Sequence, residues 1–227
     1  MSVGRKTFRG ILMKILFASN NRDKWLELVD YFKEEGVELV MADKHLELDE
    51  EGCNLIENSA LKAIAAARQT GMLSLGDDSG VYVKSLDYFP GVYSRRWLLG
   101  TDNDRNLKLL KMMKNIKDRD AFLISRFTLA DPTGNVLFTT IVENNFRIAN
   151  DIYGKNGFGY DPILIPTDKM INDLLNSSYD KTVWPDELVK NLNKMTIAEL
   201  TQIQKNQLNN RGRIAKPICD FLKTIRV

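Results

Sequence analysis

The sequence predicts an α/β or α+β fold with a partly antiparallel sheet flanked by helices, and three observations carry this. Short apolar runs alternate with segments of helical period through the first half of the chain. Two long strand-like stretches, 121–130 and 136–149, flank the turn Asp131-Pro-Thr-Gly-Asn135, which spells a hairpin. Helical patterns return after residue 196 and close the chain.

The elements follow in order. Apolar residues 15–18 suit a buried strand, and Ser19, Asn20 and Asn21 supply caps for a helix whose apolar face is Trp25, Leu28, Val29 and Phe32. Gly36 stops it, and a short strand over 37–41 leads into an acidic loop. An alanine-rich helix over 54–70 ends at Gly71. A strand at 73–75 then meets Gly76-Asp-Asp-Ser-Gly80, which reads as a tight turn, and 81–86 leaves it as another strand. Residues 103–116 form an amphipathic helix with Leu107, Leu110 and Met113 on one face. After the hairpin, a glycine-rich loop over 155–162 enters a short strand at 163–165. Residues 167–193 read as polar and irregular, with helix at 169–176. Thr196-Ile-Ala-Glu199 is a capping-box spelling that opens a helix to about 207. A last helix runs from about 210 to 225, where Pro217 demands a kink or a later start.

Composition narrows the function. The 227 residues can bury a substantial interior, and 27% charged with 44% hydrophobic residues is ordinary for a globular protein. A formal net charge of +2 gives no broad basic face for nucleic acid, and no apolar run is long enough to span a membrane. The two cysteines, Cys53 and Cys219, lack metal-ligand spacing and point to a reducing, cytoplasmic setting. The single histidine, His45, sits in an acidic segment with no nucleophile beside it. Any chemistry must therefore come from carboxylates and cations rather than a Ser–His or Cys–His pair.

Three acids are candidates for sharing a metal: Glu57 in the first turn of a helix, and Asp77 and Asp78 in the Gly-flanked segment. Magnesium takes hard oxygen ligands, often one or two carboxylates completed by water and phosphate. A carboxylate beside it can orient and deprotonate an attacking water. The plainer alternatives are a helix cap for Glu57 and a polar turn for the aspartates. Arg22 and Lys24 beside a helix N-terminus suit an anion. Arg95, Arg96, Lys205 and Arg211 are further cations, each with ordinary surface charge as the alternative. Phe158-Gly-Tyr-Asp161 places two aromatics and an acid on one loop, suited to stacking on a base or to plugging the end of a hairpin.

Taken together and in this order, these segments resemble the inosine/xanthosine triphosphate pyrophosphatases, which clear non-standard purine nucleotides. The matching residues are Ser19-Asn-Asn-Arg-Asp-Lys24, Glu57-Asn-Ser-Ala-Leu-Lys-Ala63, Asp77-Asp-Ser-Gly80, Pro90-Gly-Val-Tyr-Ser94, Gly157-Phe-Gly-Tyr-Asp-Pro162, and Lys205 with Arg211. The resemblance implies an elongated, two-lobed α/β fold with the site in a central cleft. It also implies a homodimer, and Mg²⁺-dependent cleavage of a nucleoside triphosphate to the monophosphate and pyrophosphate. By the same carry-over, Asp78 is the general base, aided by Lys24, and Glu57, Asp77 and Asp78 support Mg²⁺. Ser19, Asn20, Asn21, Arg22, Asp23, Lys24, Ser79 and Arg96 would hold the phosphates. Phe158, Gly159, Tyr160, Asp161, Lys205, Asn210 and Arg211 would address the base and its neighbouring phosphate.

Two departures stand out. The family usually reads Ser-His-Arg where this chain has Asn209-Asn210-Arg211, and residues 167–193 form an insertion relative to the family core. That insertion could serve as a lid, a dimer contact or a surface elaboration. Residues 1–12 read as an N-terminal extension and 13–227 as one catalytic domain. Two competing readings are a related hydrolase of modified pyrimidine or dUTP/TTP-like nucleotides and a catalytically silent nucleotide-binding homologue.

Overall fold

The computed structural model describes residues 13–43, 45–48, 51–177 and 180–225; the N-terminal extension lies outside them. Strand β1 (Met13–Ala18) turns through two short helices, α1 (Arg22–Leu26) and α2 (Val29–Glu34), into β2 (Val37–Met41). The single helix expected here is broken between Leu26 and Val29. Helix α3 (Leu55–Thr70) is capped by the Asn54 side chain on the amide of Glu57 and ends at Gly71 with φ 66°. Strand β3 (Ser74–Val83) follows, then β4 (Phe89–Gly91) and α4 (Asp102–Met112). The predicted hairpin is β5 (Asp120–Ala130) and β6 (Val136–Ile148), followed by β7 (Leu164–Pro166), α5 (Asp168–Leu175) and α6 (Asp186–Asn191). Last come α7 (Gln202–Leu208), a 3-10 turn over Asn210–Ile214, and α8 (Ala215–Ile225).

The seven strands make one mixed sheet in the order β2-β1-β3-β5-β6-β7, with β4 on the far end of β3. β1 runs parallel to β2 and β3, and the remaining pairings are antiparallel. This is the mixed, partly antiparallel α/β sheet that the sequence predicts.

One local expectation is corrected. The segment 76–80 is not a turn but the middle of a continuous ten-residue strand, paired residue for residue with β5. Its glycines serve close approach instead. A Cβ on Gly76 would lie 2.0 Å from the carbonyl oxygen of Ser59 in α3, and one on Gly80 would lie 2.2 Å from that of Gly91. Glycine there lets a helix and a neighbouring strand press onto the sheet. The aspartates thereby gain a rigid strand instead of a loop.

Two hydrophobic clusters share the long strands. Ile15, Phe17, Phe32, Leu75, Phe127 and Ile218 belong to the first. Val81, Val83, Leu109, Phe146, Trp184 and Leu208 belong to the second. Between them the strands carry a band of polar residues: Asp77, Asp78 and Ser79 on β3, Ser125 opposite Ser79 on β5, and Asn144 two positions further along on β6. That polar waist is where the last part of the chain crosses the sheet. The Thr196–Glu199 capping box is present, yet it closes a single 3-10 turn. A second box, Thr201 with Gln204, starts α7. α8 begins at Ala215, so Pro217 falls in its first turn, where proline is tolerated.

Candidate active site

Asp77 and Asp78 are adjacent on a strand, so their side chains leave opposite faces of the sheet. Asp78 meets α3: Lys62 Nζ donates to its Oδ1 at 3.1 Å and Asn58 Nδ2 to its Oδ2 at 2.9 Å. Asp77 meets the other face, where Lys24 Nζ lies 3.1 Å and Arg211 Nη1 3.4 Å from Oδ2. From Arg211 the charges continue. Its Nε is 3.1 Å from Glu27, Glu27 is 2.7 Å from Lys205 Nζ, and Lys205 is 2.5 Å from Asp161. Arg211 also donates to the Ser125 hydroxyl at 3.2 Å, and Asn209 Oδ1 accepts from Asn144 Nδ2 at 2.7 Å. The polar waist is thus filled from the 209–211 segment.

Each charge is placed by local structure. Lys24 and Glu27 are three apart at the end of β1's connection, on the same side of the short α1. Lys62 lies on the small-residue face of α3 with Ser59, Ala63 and Ala66, which admits its stem against the sheet. Asp161 follows a loop fixed from α4. Asp102 accepts from the Gly159 amide at 3.0 Å, and Asn106 donates to the Gly159 carbonyl at 2.9 Å. Phe158 is held over Lys205, with Nζ 4.2 Å from the ring centroid.

Burial shapes the titrations. Burial favours the neutral form of Asp161 and raises its pKa, with Lys205 pulling the other way. Burial opposes the charge on Lys205, but Glu27 and Asp161 outweigh it and keep the ammonium charged. Burial lowers Lys24, against the pull of Asp77. For Asp77, burial alone would raise the pKa, but Lys24, Arg211 and Lys62 together hold it below its ordinary 3.8. A carboxyl whose folded pKa is depressed stabilises the fold above its unfolded pKa, and loses that contribution as pH falls through the folded value. Acid unfolding between about pH 5 and pH 2 should accordingly be less steep in Asp77→Asn than in the wild type when followed by circular dichroism. Equal slopes would exclude Asp77 as a source of the acid limb.

The remaining expected residues fall into three groups. Lys24, Asp77, Asp78, Phe158, Asp161, Lys205 and Arg211 are brought together as described. In the first turn, Ser19 accepts from the Asn21 amide, and Asn21 caps the amides of Asp23 and Lys24. Those three N–H groups are thus already taken within the turn. Asn20, Arg22 and Asp23 are exposed, while Ser79 is half-buried opposite Ser125. The rest stand apart. Glu57 is exposed and accepts from the Cys53 amide at 2.8 Å. Arg96 lies over the Tyr93 ring at 5.2 Å. Tyr160 spends its hydroxyl on the Ser94 carbonyl and the Trp97 indole, and burial pushes it up to about 12. The side chain of Asn210 lies outside the described residues. Sequence reasoning missed Glu27, Asn58 and Lys62. Asn58 and Lys62 have a signal, polar residues on the small, buried face of α3, whereas Glu27 at the end of α1 has none.

Among the described residues no three Asp, Glu, His or Cys side chains are grouped as a metal cage. A magnesium ion that borrows substrate oxygens needs fewer. Asp77 Oδ1 is buried without a hydrogen-bond partner, whereas Asp78 is the acid of the pair that solvent and a ligand reach. Carboxylate oxygens are the donors Mg²⁺ takes, so the chemistry of Asp77 and Asp78 fits the ion, although the three expected acids are not grouped around one point.

A mixed sheet whose waist holds paired carboxylates and cations, beside an aromatic ring lying on a lysine, defines an α/β protein that works with anionic ligands. The chain belongs to the Ham1 family, whose model matches residues 15–221. It is 36% identical to a protein of Prochlorococcus marinus named dITP/XTP pyrophosphatase, over 94% of each chain. A solved Ham1 protein of Coxiella burnetii superposes with a TM-score of 0.69 at 28% identity, covering 93% of this chain and 99% of that one. A nucleoside-triphosphatase / dITP/XTP pyrophosphatase of Mycobacterium abscessus gives 0.61 at 31% identity, covering 91% and 97%. The family expected from the ordered motifs is borne out. Among the described residues no helix is long and apolar enough to cross a membrane.

Proposed function

We propose that this chain is a house-cleaning nucleoside triphosphate pyrophosphatase that hydrolyses dITP, XTP and ITP to the monophosphate and pyrophosphate. The observation that carries the reading is the charge network that runs from Lys24 and Asp77 through Arg211 to Glu27, Lys205 and Asp161, with the Lys62–Asp78 pair beside it on the opposite face of the same strand. It leads from the strand that carries the candidate general base to a lysine beneath an aromatic ring, and the motifs that form it run in the order of the dITP/XTP pyrophosphatases.

Asp78 is the better general base of the pair, because its side chain is 12% exposed while that of Asp77 is sealed at 0%. Its two oxygens accept one bond each, which leaves lone pairs for a water. Asp78 takes a proton as the water oxygen bonds to the α-phosphorus. The bond from that phosphorus to the bridging oxygen breaks, and its electron pair leaves with pyrophosphate. Lys24 stabilises the leaving charge, with Ser19, Asn20, Asn21, Arg22, Asp23, Ser79 and Arg96 on the phosphate side. Phe158 stacks on the base, with Lys205, Arg211 and Asn210 around it. The resemblance assigns Mg²⁺ to Asp77, Asp78 and Glu57. Among the described residues the three are not grouped, so holding the ion would require Glu57 to move towards Asp78. When bound, the ion would neutralise phosphate charge. An asparagine amide both donates and accepts, so Asn210 relaxes the choice between 6-keto and 6-amino purines relative to a histidine.

We further take the protein to be a two-lobed cytoplasmic homodimer. Its two free cysteines suit a reducing compartment. On one face of the β5–β6 hairpin the half-buried Phe122 and Ile124 and the exposed Ile141 alternate with Arg126, Glu143 and Asn145, a mixed surface that a second copy could cover.

The test is a panel of dITP, XTP, dGTP, dATP, dUTP and TTP with Mg²⁺, products identified by mass. Monophosphate and pyrophosphate, formed fastest from dITP or XTP, are expected. Absence of purine turnover would overturn the reading, and preference for dUTP or TTP would replace it with the pyrimidine one.

A further inference from the structure

Between β7 and Thr196, the described residues contribute to the core. Met170, Ile171, Leu174 and Leu192 are buried, and Trp184 is 0% exposed in the same hydrophobic cluster as Leu200 and Leu208. Two side-chain bonds tie it to α7. The Trp184 indole N–H donates to Gln207 Oε1 at 2.6 Å, and Gln204 Nε2 donates to the Val183 carbonyl at 2.8 Å. Gln204 and Gln207 are three apart and share one face of the helix. Lys205 leaves α7 in another direction, towards Glu27 and Asp161.

α7 is only seven residues long. A helix that short is marginal on its own, so its position is set by what it packs against. On one side that is the charge network. On the other it is Trp184 and Val183. The end of α7 runs directly into Asn209 and Arg211, which fill the waist of the sheet. A shift of the helix therefore moves Lys205 and the 209–211 segment together.

We propose that residues 180–184 act as a strap on α7, with Trp184 as a positioning residue. The strap fixes where the Lys205 ammonium and the 209–211 segment meet the nucleotide, and so tunes recognition from outside the site. The inference rests on the nucleotide-hydrolase reading above. It gives the insertion a task that neither the family motifs nor the names of relatives assign.

Gln207→Leu keeps the volume and removes the acceptor, leaving a buried indole N–H unpaired. Trp184→Phe removes the donor, and Gln207→Glu retains an acceptor. In Gln207→Leu the KM for dITP should rise about tenfold with kcat held within about twofold, as expected when an unpaired buried group lets its support move. Gln207→Glu should restore KM. Combined with Trp184→Phe, Gln207→Leu should add little further, because both break one bond. Amide exchange of residues 202–208 should quicken in Gln207→Leu while that of α3 does not change. An unchanged KM in an active, folded Gln207→Leu protein would overturn the strap, even if exchange quickens. So would equal losses in Gln207→Leu and Gln207→Glu. The wild type separates the two failures. A wild type inert on the whole panel overturns the functional reading, whereas an active wild type with an indifferent Gln207→Leu overturns the strap alone.

Discussion

Asp78→Asn is expected to lower kcat about a thousandfold, in the range that a positioned general base contributes, while KM changes only a few-fold. The argument is one of access and anchoring. Asp78 is reachable from outside, and Lys62 and Asn58 fix its orientation from α3. Asparagine keeps the shape and the bond to one neighbour, but it cannot take a proton. The measurement is pyrophosphate release under saturating dITP, beside circular dichroism to show an intact fold. A residual kcat within about tenfold of the wild type would move the base role away from Asp78, with Asp77→Asn the next variant to compare.

The second large effect is on stability. Glu27→Ala should cost about 3–5 kcal/mol, the usual penalty for removing one partner of a buried ion pair. The carboxylate is 3% exposed and faces both Lys205 and Arg211, so its loss leaves two enclosed cations short of a counter-charge. Each retains one other acid, Asp161 for Lys205 and Asp77 for Arg211, which keeps the cost at that of one lost partner. Urea denaturation of the two proteins gives the difference from the midpoints and slopes. A loss below about 1 kcal/mol, the value of exposed pairs, would mean that the lysine and arginine reach water once released.

Much of the fold was legible because period and punctuation agree along the chain. The β5–β6 hairpin and α3 with its Gly71 stop are where the sequence puts them. The 76–80 segment was misread because glycine and aspartate are turn residues by local preference. Only the close approach of Ser59 and Gly91, a tertiary fact, makes glycine the residue that suits a strand there. Residues 167–193 looked irregular because α6 is only six residues long, too short for a clear period. Asp78 and Lys205 stand out in the sequence because they lie in recognisable motifs, and the fold brings both to the polar waist. Glu27 was missed because a buried charge has no sequence mark until its partner, far along the chain, is known.

The network at the waist has a consequence for how a nucleotide arrives. Lys24, Lys62, Lys205 and Arg211 are matched by Asp77, Asp78, Asp161 and Glu27, so the cluster is close to self-cancelling and projects little field into solvent. Capture then depends on random encounter more than on electrostatic guidance. Selection happens after contact, when phosphates compete with the resident carboxylates for the same cations. An enzyme patrolling a pool dominated by ordinary triphosphates gains from that arrangement: a site that attracts every polyanion strongly would spend its time occupied by the wrong ones.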